Sequence, residues 1–422
     1  ISHFLRTRRI TLSRGRSRSV LGILLCALVA SVAACSTEEI SSVASAPASD
    51  ITWLPCGNIE CGQLQVPVDH STESSATFTL GLYRKVSTVS DEARTLILVP
   101  DKKWSASARD MVEQAGLTFG PRINSFNVVA VAPRGAVESV LPTGAEHSVG
   151  TLDTVDDLDM VRRALGEKKV SVIGWGDGAT AVTAWVMQRP KDFYSAVVDS
   201  PLDPSVSPVK QVRQNIAAGE LGVQSAVKWC ASHLSCTINA NVATGLNLLK
   251  TDMRLERVPA DVTNEVIARA AEHTLAVGNP GALFNAIAQV MVGSSVRLQA
   301  LAGVAPAQTD AYSHCADVSQ AQATSIVGAH EGMSDKYFGF GNGAQMYGFC
   351  SSIPAALRPL GTVKPAAIAS DANVLVTIAR GDQLHAPVNA REMAKRLGWK
   401  YQSVFANRHL VVGIDRAITQ TV

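Results

Sequence analysis

Three features that would assign this sequence to familiar classes are missing. Its longest apolar run, near the N-terminus, is shorter than the about 20 apolar residues that a transmembrane helix needs. Apart from six arginines within the first 34 residues, acidic side chains outnumber basic ones, which argues against binding nucleic acid through phosphate contacts. The cysteines lack the C-x-x-C and histidine spacings that a zinc site needs. We therefore expect no nucleic-acid partner, no metal and no cofactor.

The first 34 residues have the layout of an export signal. Their arginine-rich start precedes an apolar stretch over 20–30, which ends in small residues directly before Cys35. A cysteine after Val-Ala-Ala resembles the bacterial lipobox, in which that cysteine is acylated and becomes the new N-terminus. We predict a lipoprotein signal peptide over 1–34, lipid on Cys35, a flexible tether over 35–50 and an extracytoplasmic location at the cell membrane. An uncleaved anchor or an ordinary signal peptide is the alternative.

The other cysteines indicate a disulfide framework. Cys26 leaves with the signal and Cys35 takes the lipid, so six cysteines remain. An even number outside the cytoplasm predicts three bridges, although the sequence permits many pairings. Two short spacings suggest local bridges and leave one longer pair: Cys56–Cys61, Cys230–Cys236 and Cys315–Cys350.

From residue 51 onward, short apolar runs alternate with stretches of helical periodicity. Continuous apolar runs bounded by turn residues are typical of strands in a parallel sheet that is covered on both faces. The runs are 95–100, 126–132, 170–173, 196–198 and 373–379, and the helical stretches are 154–166, 179–189 and 388–397. We predict an α/β fold with a mostly parallel sheet, in which core segments 51–204 and 365–422 flank a helical insertion over 205–364.

The most informative segment is a strand, a glycine-rich turn and a helix over residues 170–189. In α/β-hydrolases this place holds G-x-S-x-G, whose outer glycines avoid collisions in a strained turn and whose third residue is the nucleophile. Here the outer glycines are Gly174 and Gly178, and the third residue is Gly176. That position has no oxygen, sulfur or carboxylate with which to attack a carbonyl.

The segments around this turn resemble the secreted actinobacterial tripeptidyl aminopeptidase and proline iminopeptidase-like branch of the α/β-hydrolases. The resemblance covers nearly everything after residue 51, with Ala132 where the family's FDVVGxDxRG strand has an acid. The matching segments are 51–56, 66–69, 126–135, 154–166, 198–204, 229–230, 315–317 and 350–354. It implies an α/β-hydrolase fold with a helical lid, the three disulfides above, and descent from serine exopeptidases.

Carried over by position, the resemblance places the triad acid at Asp382 and the histidine at His409, while the nucleophile is missing at Gly176. The family's D-x-x-T-P sequel to the acid is spaced differently here. The family's glycine-rich oxyanion loop is also replaced, by residues 101–105. Without a nucleophile, Asp382 and His409 can equally be structural residues, one satisfying loop amides and the other ending a strand.

Asp177 is a poor substitute nucleophile, because a register shifted by one residue would put Trp175 where the turn needs a small side chain. Its carboxylate is better placed to favour the first turn of the following helix. We therefore predict a catalytically inactive protein that binds a peptide, an acyl chain or a protein partner, or serves in envelope assembly. The residues 102–104 (Lys102, Lys103 and Trp104) are candidate pocket contacts or simply a solvated loop. The alternative is an active serine-type peptidase or esterase with an unrecognised nucleophile.

Overall fold

The computed structural model describes residues 50–72, 74–303, 315–330, 350, 358–360, 363–366 and 372–422. One large sheet organises this part of the chain. Its nine strands are β1 (Thr52–Pro55), β2 (Glu60–Pro67), β3 (Thr77–Lys85), β4 (Thr95–Val99), β5 (Asn127–Val131), β6 (Val170–Trp175), β7 (Phe193–Asp199), β8 (Asn373–Ala379) and β9 (Lys400–Val404).

The strand order across the sheet is β1-β2-β3-β5-β4-β6-β7-β8-β9. Strands β1 to β3 form an antiparallel meander, and β3 pairs antiparallel with β5. From β5 onward every neighbouring pair is parallel, so the carboxyl ends of these strands meet at one edge. The predicted α/β-hydrolase fold, a mostly parallel sheet with helices on both sides, is confirmed.

The helices cover both faces of the sheet and form the long connection between β7 and β8. They are α1 (Ala108–Glu113), α2 (Ala115–Phe119), α3 (Thr151–Ala164), α4 (Gly176–Gln188), α5 (Pro208–Ser232), α6 (Val242–Arg254), α7 (Asn264–Ala276), α8 (Pro280–Val290), α9 (Val296–Ala302), α10 (Gln320–His330), α11 (Pro387–Leu397) and α12 (Arg416–Thr421). Short 3₁₀ turns lie at Pro121–Ser125, Pro190–Asp192 and Asn239–Asn241.

Strand β4 shows why the predicted strands are continuous apolar runs. All five of its residues are buried, but alternate side chains point to opposite faces. Ile97 and Val99 pack with helices α3, α4 and α11 on one face, whereas Leu96 and Leu98 pack with α1, α2 and α12 on the other. A strand between two helical layers is therefore mostly apolar at positions on both of its faces.

Between β7 and β8, the described residues form helices and no strand. Helices α5 to α9 have a core of their own, built around side chains such as Leu249, Ile267, Phe284 and Ile287. The predicted insertion over 205–364 includes segments outside the described residues, so its boundaries stay a prediction. This helical insertion is called the lid below.

The three predicted disulfides are present: Cys56–Cys61, Cys230–Cys236 and Cys315–Cys350. The first closes the turn between β1 and β2, and the second holds the end of α5 to the segment that follows it. The predicted signal peptide, the acylated Cys35 and the tether up to residue 49 lie outside the described residues. In the ranges that the structure describes, no helix is both long enough and apolar enough to cross a membrane.

Candidate functional site

A sharp turn joins strand β6 to helix α4 at the carboxyl edge of the sheet. A Cβ on Gly174 would lie 2.7 Å from the carbonyl oxygen of Gly178, and one on Gly178 would lie 2.6 Å from that of Pro100. Gly176 itself has a φ of +51°, in the left-handed region that favours glycine. The turn thus has the backbone of a nucleophile elbow, and hydrogen stands where the nucleophile's side chain would be.

The space beside Gly176 is filled by the carboxylate of Asp101, which follows β4. A Cβ on Gly176 would collide with Oδ2 of Asp101 and lie 2.8 Å from its Cγ. Asp101 is only 7% exposed. The strands explain this meeting, because Val99 of β4 pairs with Gly174 of β6, and Asp101 and Gly176 each come two residues later.

Three backbone amides donate hydrogen bonds to the Asp101 carboxylate. The amide of Asp177 donates to Oδ2 at 2.9 Å. The amides of Lys103 and Trp104 donate to Oδ1 at 2.7 and 2.6 Å. In hydrolases of this fold the amide after the nucleophile helps to bind the substrate's oxyanion. In this chain that amide already holds an internal anion.

Asp382 and His409 meet as the resemblance implies. Nδ1 of His409 and Oδ2 of Asp382 are 2.8 Å apart, and both side chains are buried. Oδ1 of Asp382 accepts from the amides of Leu384 and His385 at 2.9 and 3.0 Å. Asp382 therefore orients the imidazole and also accepts hydrogen bonds from the amides of its own loop. This geometry fits both a catalytic and a structural role.

The charges around His409 favour its protonated form. Burial would lower the pKa of His409, but the carboxylates of Asp382, Asp101 and Asp199 outweigh this and raise it to about 9. For Asp382, burial would raise the pKa, but the charge and hydrogen bond of His409 hold it below its usual range. The pair is therefore an imidazolium–carboxylate pair at neutral pH, whereas a general base has to be neutral.

Nε2 of His409, the atom that would face a nucleophile, is buried and has no hydrogen-bond partner. The ring of His385 packs edge-on against the His409 ring, with centroids 4.9 Å apart. Nδ1 of His385 is hydrogen-bonded to the carbonyl oxygen of Ser200. Thus no side-chain oxygen of the described residues is bonded to Nε2, as a serine-type triad would require.

A second carboxylate, that of Asp199 at the end of β7, holds the loop that follows His409. Oδ2 of Asp199 accepts from the amides of Val411 and Val412 at 2.7 and 2.8 Å, and Oδ1 accepts from the Thr377 hydroxyl. Complete burial raises the pKa of Asp199 to about 6, against the effect of these donors. The part of the loop that follows His409 is therefore anchored to the end of β7.

Helix α7 of the lid contacts both loops that flank the turn. Nζ of Lys103 lies 2.9 Å from Oε1 of Glu272, and the rings of Trp104 and His273 are 5.8 Å apart. The amide of His409, which is 2% exposed, donates to the last carbonyl of α7 at 2.9 Å. The lid is therefore hydrogen-bonded to the backbone of the histidine loop. Lys103 and Trp104, predicted as pocket contacts, face the lid helix.

Lys102, the third predicted pocket contact, lines a cavity of about 420 Å³, including its open mouth. The cavity lies on the α3 side of the turn, where Asp177, Gly178 and Asp317 also line it. Nζ of Lys102 donates to the carbonyl of Val149 at 3.0 Å. Asp177 is exposed at the start of α4, so its carboxylate lies beside the cavity and away from the nucleophile position.

The sequence analysis assigned the triad positions to Gly176, Asp382 and His409, but it missed the role of Asp101. The available signal was an acidic residue directly after a buried parallel strand, at the edge where such strands end. No group of three or more histidine, cysteine or acidic side chains could hold a metal ion in the part of the chain that the structure describes.

The chain is similar in part to known proteins. No protein-family model matches the chain. It is 21% identical over 253 residues to the serine protease Hip1 of Mycobacterium tuberculosis and of Mycobacterium bovis, covering 47% of this chain and 48% of the relative. The chain thus spans about half the length of the curated relatives it matches. It is a hydrolase-like protein with weak similarity to a serine protease.

Solved structures that resemble the chain include a serine hydrolase from Cycloclasticus zankles, 13% identical with a TM-score of 0.40, covering 86% of this chain and 96% of that chain. A thermophilic esterase from Thermogutta terrifontis is 11% identical with a TM-score of 0.37, covering 85% and 96%. Naproxen esterase from Bacillus subtilis is 10% identical with a TM-score of 0.38, covering 86% and 90%.

Proposed function

We propose that this chain is an exported, lipid-anchored protein that binds a partner and does not hydrolyse substrates by the serine mechanism. The observation that carries the proposal is the turn at Gly176, which has the backbone of a nucleophile elbow but no nucleophilic atom. Because triad members act as a unit, an Asp–His pair without its nucleophile retains little of their joint effect. Any remaining catalysis would depend on the oxyanion site and on substrate binding.

Three further observations support inactivity. The Asp101 carboxylate bonds the amide that would bind an oxyanion. His409 is charged at neutral pH, so it is a poor general base. Nε2 of His409 is buried and therefore has no access to solvent. Each of these would have to change before an acyl substrate could react here.

The active-site probe for this proposal is a fluorophosphonate, which labels activated serines. The purified protein should remain unlabelled under conditions in which an active serine hydrolase is labelled completely, and heat-denatured protein gives the background. Specific labelling of the native chain would overturn the proposal. It would favour the alternative, a peptidase or esterase with another nucleophile, for which the preserved Asp382–His409 contact and the similarity to serine protease Hip1 speak.

The export and anchoring parts of the proposal rest on separate observations. Cys35 follows Val-Ala-Ala in the lipobox manner, and three disulfides suit an oxidising compartment outside the cytoplasm. Metabolic labelling with a fatty-acid analogue should modify the wild-type protein and leave Cys35→Ser unmodified. Equal labelling of both proteins would rule out Cys35 as the lipid site.

We place the chain in the tripeptidyl aminopeptidase-like branch as a member that has lost its nucleophile. The support is the series of matching segments from residue 51 onward and the lid cysteines. The partner is a peptide, an acyl chain or a protein of the envelope. Crosslinking and pull-down from membranes, compared between the wild-type protein and a Lys102→Ala variant, test whether the cavity beside the turn takes part. Identical recovery of the partner with both proteins would exclude Lys102 as a contact.

A further inference from the structure

The Asp101 carboxylate lies where two parts of a serine hydrolase site would be. One is the volume of the nucleophile's side chain, since a Cβ on Gly176 would collide with Oδ2 and approach the Asp101 Cβ to 3.1 Å. The other is the anion position at the start of α4, since Oδ2 accepts from the amide of Asp177. One side chain therefore accounts for the exclusion of both a nucleophile and an oxyanion.

A second observation, independent of these amides, comes from the opposite side of the site. Nε2 of His409 is buried and has no hydrogen-bond partner, and the ring is held by Asp382 through its other nitrogen. A buried polar atom without a partner is uncommon in folded proteins. The negative charge of Asp101 also helps to keep the imidazole protonated. The imidazole is therefore within electrostatic range of a negative charge that the protein itself supplies.

We propose that Asp101 is an internal occupant of the oxyanion site, and that its carboxylate stands in for the nucleophile and the substrate oxyanion together. This inference rests on the proposed inactivity and names the side chain that blocks the site. It predicts that Gly176 and Asp101 are energetically coupled: a side chain is tolerated at 176 only when the carboxylate at 101 is removed.

A double-mutant cycle of Gly176→Ala and Asp101→Ala tests this coupling through the unfolding equilibrium constant, without any need for substrate access. Gly398→Ala is the matched control, because Gly398 also has a positive φ but a Cβ there would meet nothing within 4 Å. We expect Gly176→Ala to raise the unfolding constant at least tenfold more than Gly398→Ala does. In the Asp101→Ala background the two alanines should have effects within about threefold of each other.

If Gly176→Ala alone fails to fold, the comparison of Asp101→Ala with the double variant still decides. A double variant that is as stable as Asp101→Ala, within the effect of Gly398→Ala, supports the inference. Additive effects of the two substitutions, or a double variant much less stable than Asp101→Ala, would overturn it.

The second measurement is the titration of His409 by nuclear magnetic resonance in Asp101→Asn, which keeps the shape of the side chain and removes its charge. The other titratable groups around the ring are Asp382, Asp199 and His385, and they are unchanged in this variant. The pKa of His409 should fall below its wild-type value, while Asp91→Asn in an exposed loop leaves it unchanged. An unaltered pKa in Asp101→Asn would contradict the placement of the carboxylate.

These results are separable from the fate of the proposed function. Fluorophosphonate labelling of the wild-type chain would refute inactivity, whatever the cycle shows. If coupling is absent and the wild-type chain is unlabelled, the protein is still inactive, but Asp101 is not the cause.

Discussion

Replacing Asp382 by asparagine should make the stability of this protein less sensitive to pH between 6.5 and 9. Asparagine keeps the shape of the side chain, and its oxygen can still accept from the amides of Leu384 and His385. It removes the charge that lies 2.8 Å from Nδ1 of His409. Asp382 is the first of the carboxylates that raise the pKa of His409.

The size of the effect follows from that pKa. Raising it from 6.5 to about 9 in the folded state, at about 1.4 kcal/mol for each tenfold change in proton affinity, contributes about 3 kcal/mol of stability. Because the folded-state pKa is the higher one, this contribution is complete below pH 6.5 and is lost as the pH rises to 9. Asp101 and Asp199 supply part of it, so Asp382→Asn should lose roughly 2 kcal/mol at pH 6 and little at pH 9.5.

The assay is urea unfolding followed by tryptophan fluorescence at several pH values from 5.5 to 9.5. Asp91→Asn is the control for loss of one carboxylate, since Asp91 is exposed in the loop between β3 and β4. The wild-type and control proteins should lose stability in parallel as the pH rises, and Asp382→Asn should lose less. A constant difference between Asp382→Asn and the wild type across this range would refute the assignment of His409 as an imidazolium.

Other substitutions test the turn, the core and the lid. Gly176→Ser should remain unlabelled by a fluorophosphonate, because its Cβ would collide with Asp101; labelling would show that the carboxylate is no obstacle. The guanidinium of Arg134 is fully buried and forms an ion pair with the carboxylate of Asp157. Arg134→Met should reduce stability by about 3–5 kcal/mol, because it leaves that buried carboxylate without its counter-charge. Denaturant titration measures this, and a loss near zero would refute the importance of the pair. Replacing Cys315 and Cys350 by alanine opens a bridge across 35 residues and should reduce stability by about 2–4 kcal/mol. An unchanged melting temperature would contradict that bridge.

The parallel strands were predictable because a strand that is buried on both faces is a largely continuous apolar run in the sequence. Strand β6 is buried at all six positions, and the apolar run at 170–173 predicted most of it. The helix after it was predicted to begin at residue 179, three residues after its observed start at Gly176. The prediction was late because the glycines at the turn have the composition of a loop.

Strands toward the two ends of the sheet were missed for the opposite reason. Strand β9, Lys400–Val404, has no fully buried residue and therefore no apolar run. It exists as a strand because β8 offers it a parallel edge, with Val376 opposite Tyr401. Strand β2 alternates between buried and exposed positions, as a strand with one solvated face does, and its signal is correspondingly weaker.

Residue identity by itself determined that Gly176 has no attacking atom, since no tertiary structure can add a side chain to glycine. The resemblance to the family likewise implied the pairing of Asp382 with His409. Only the tertiary structure decided that the Asp101 carboxylate fills the space at the turn. That contact requires β4 and β6, 75 positions apart at these residues, to pair in parallel with Val99 opposite Gly174. Such a register is set by packing across the sheet, which residues 99–101 alone do not encode.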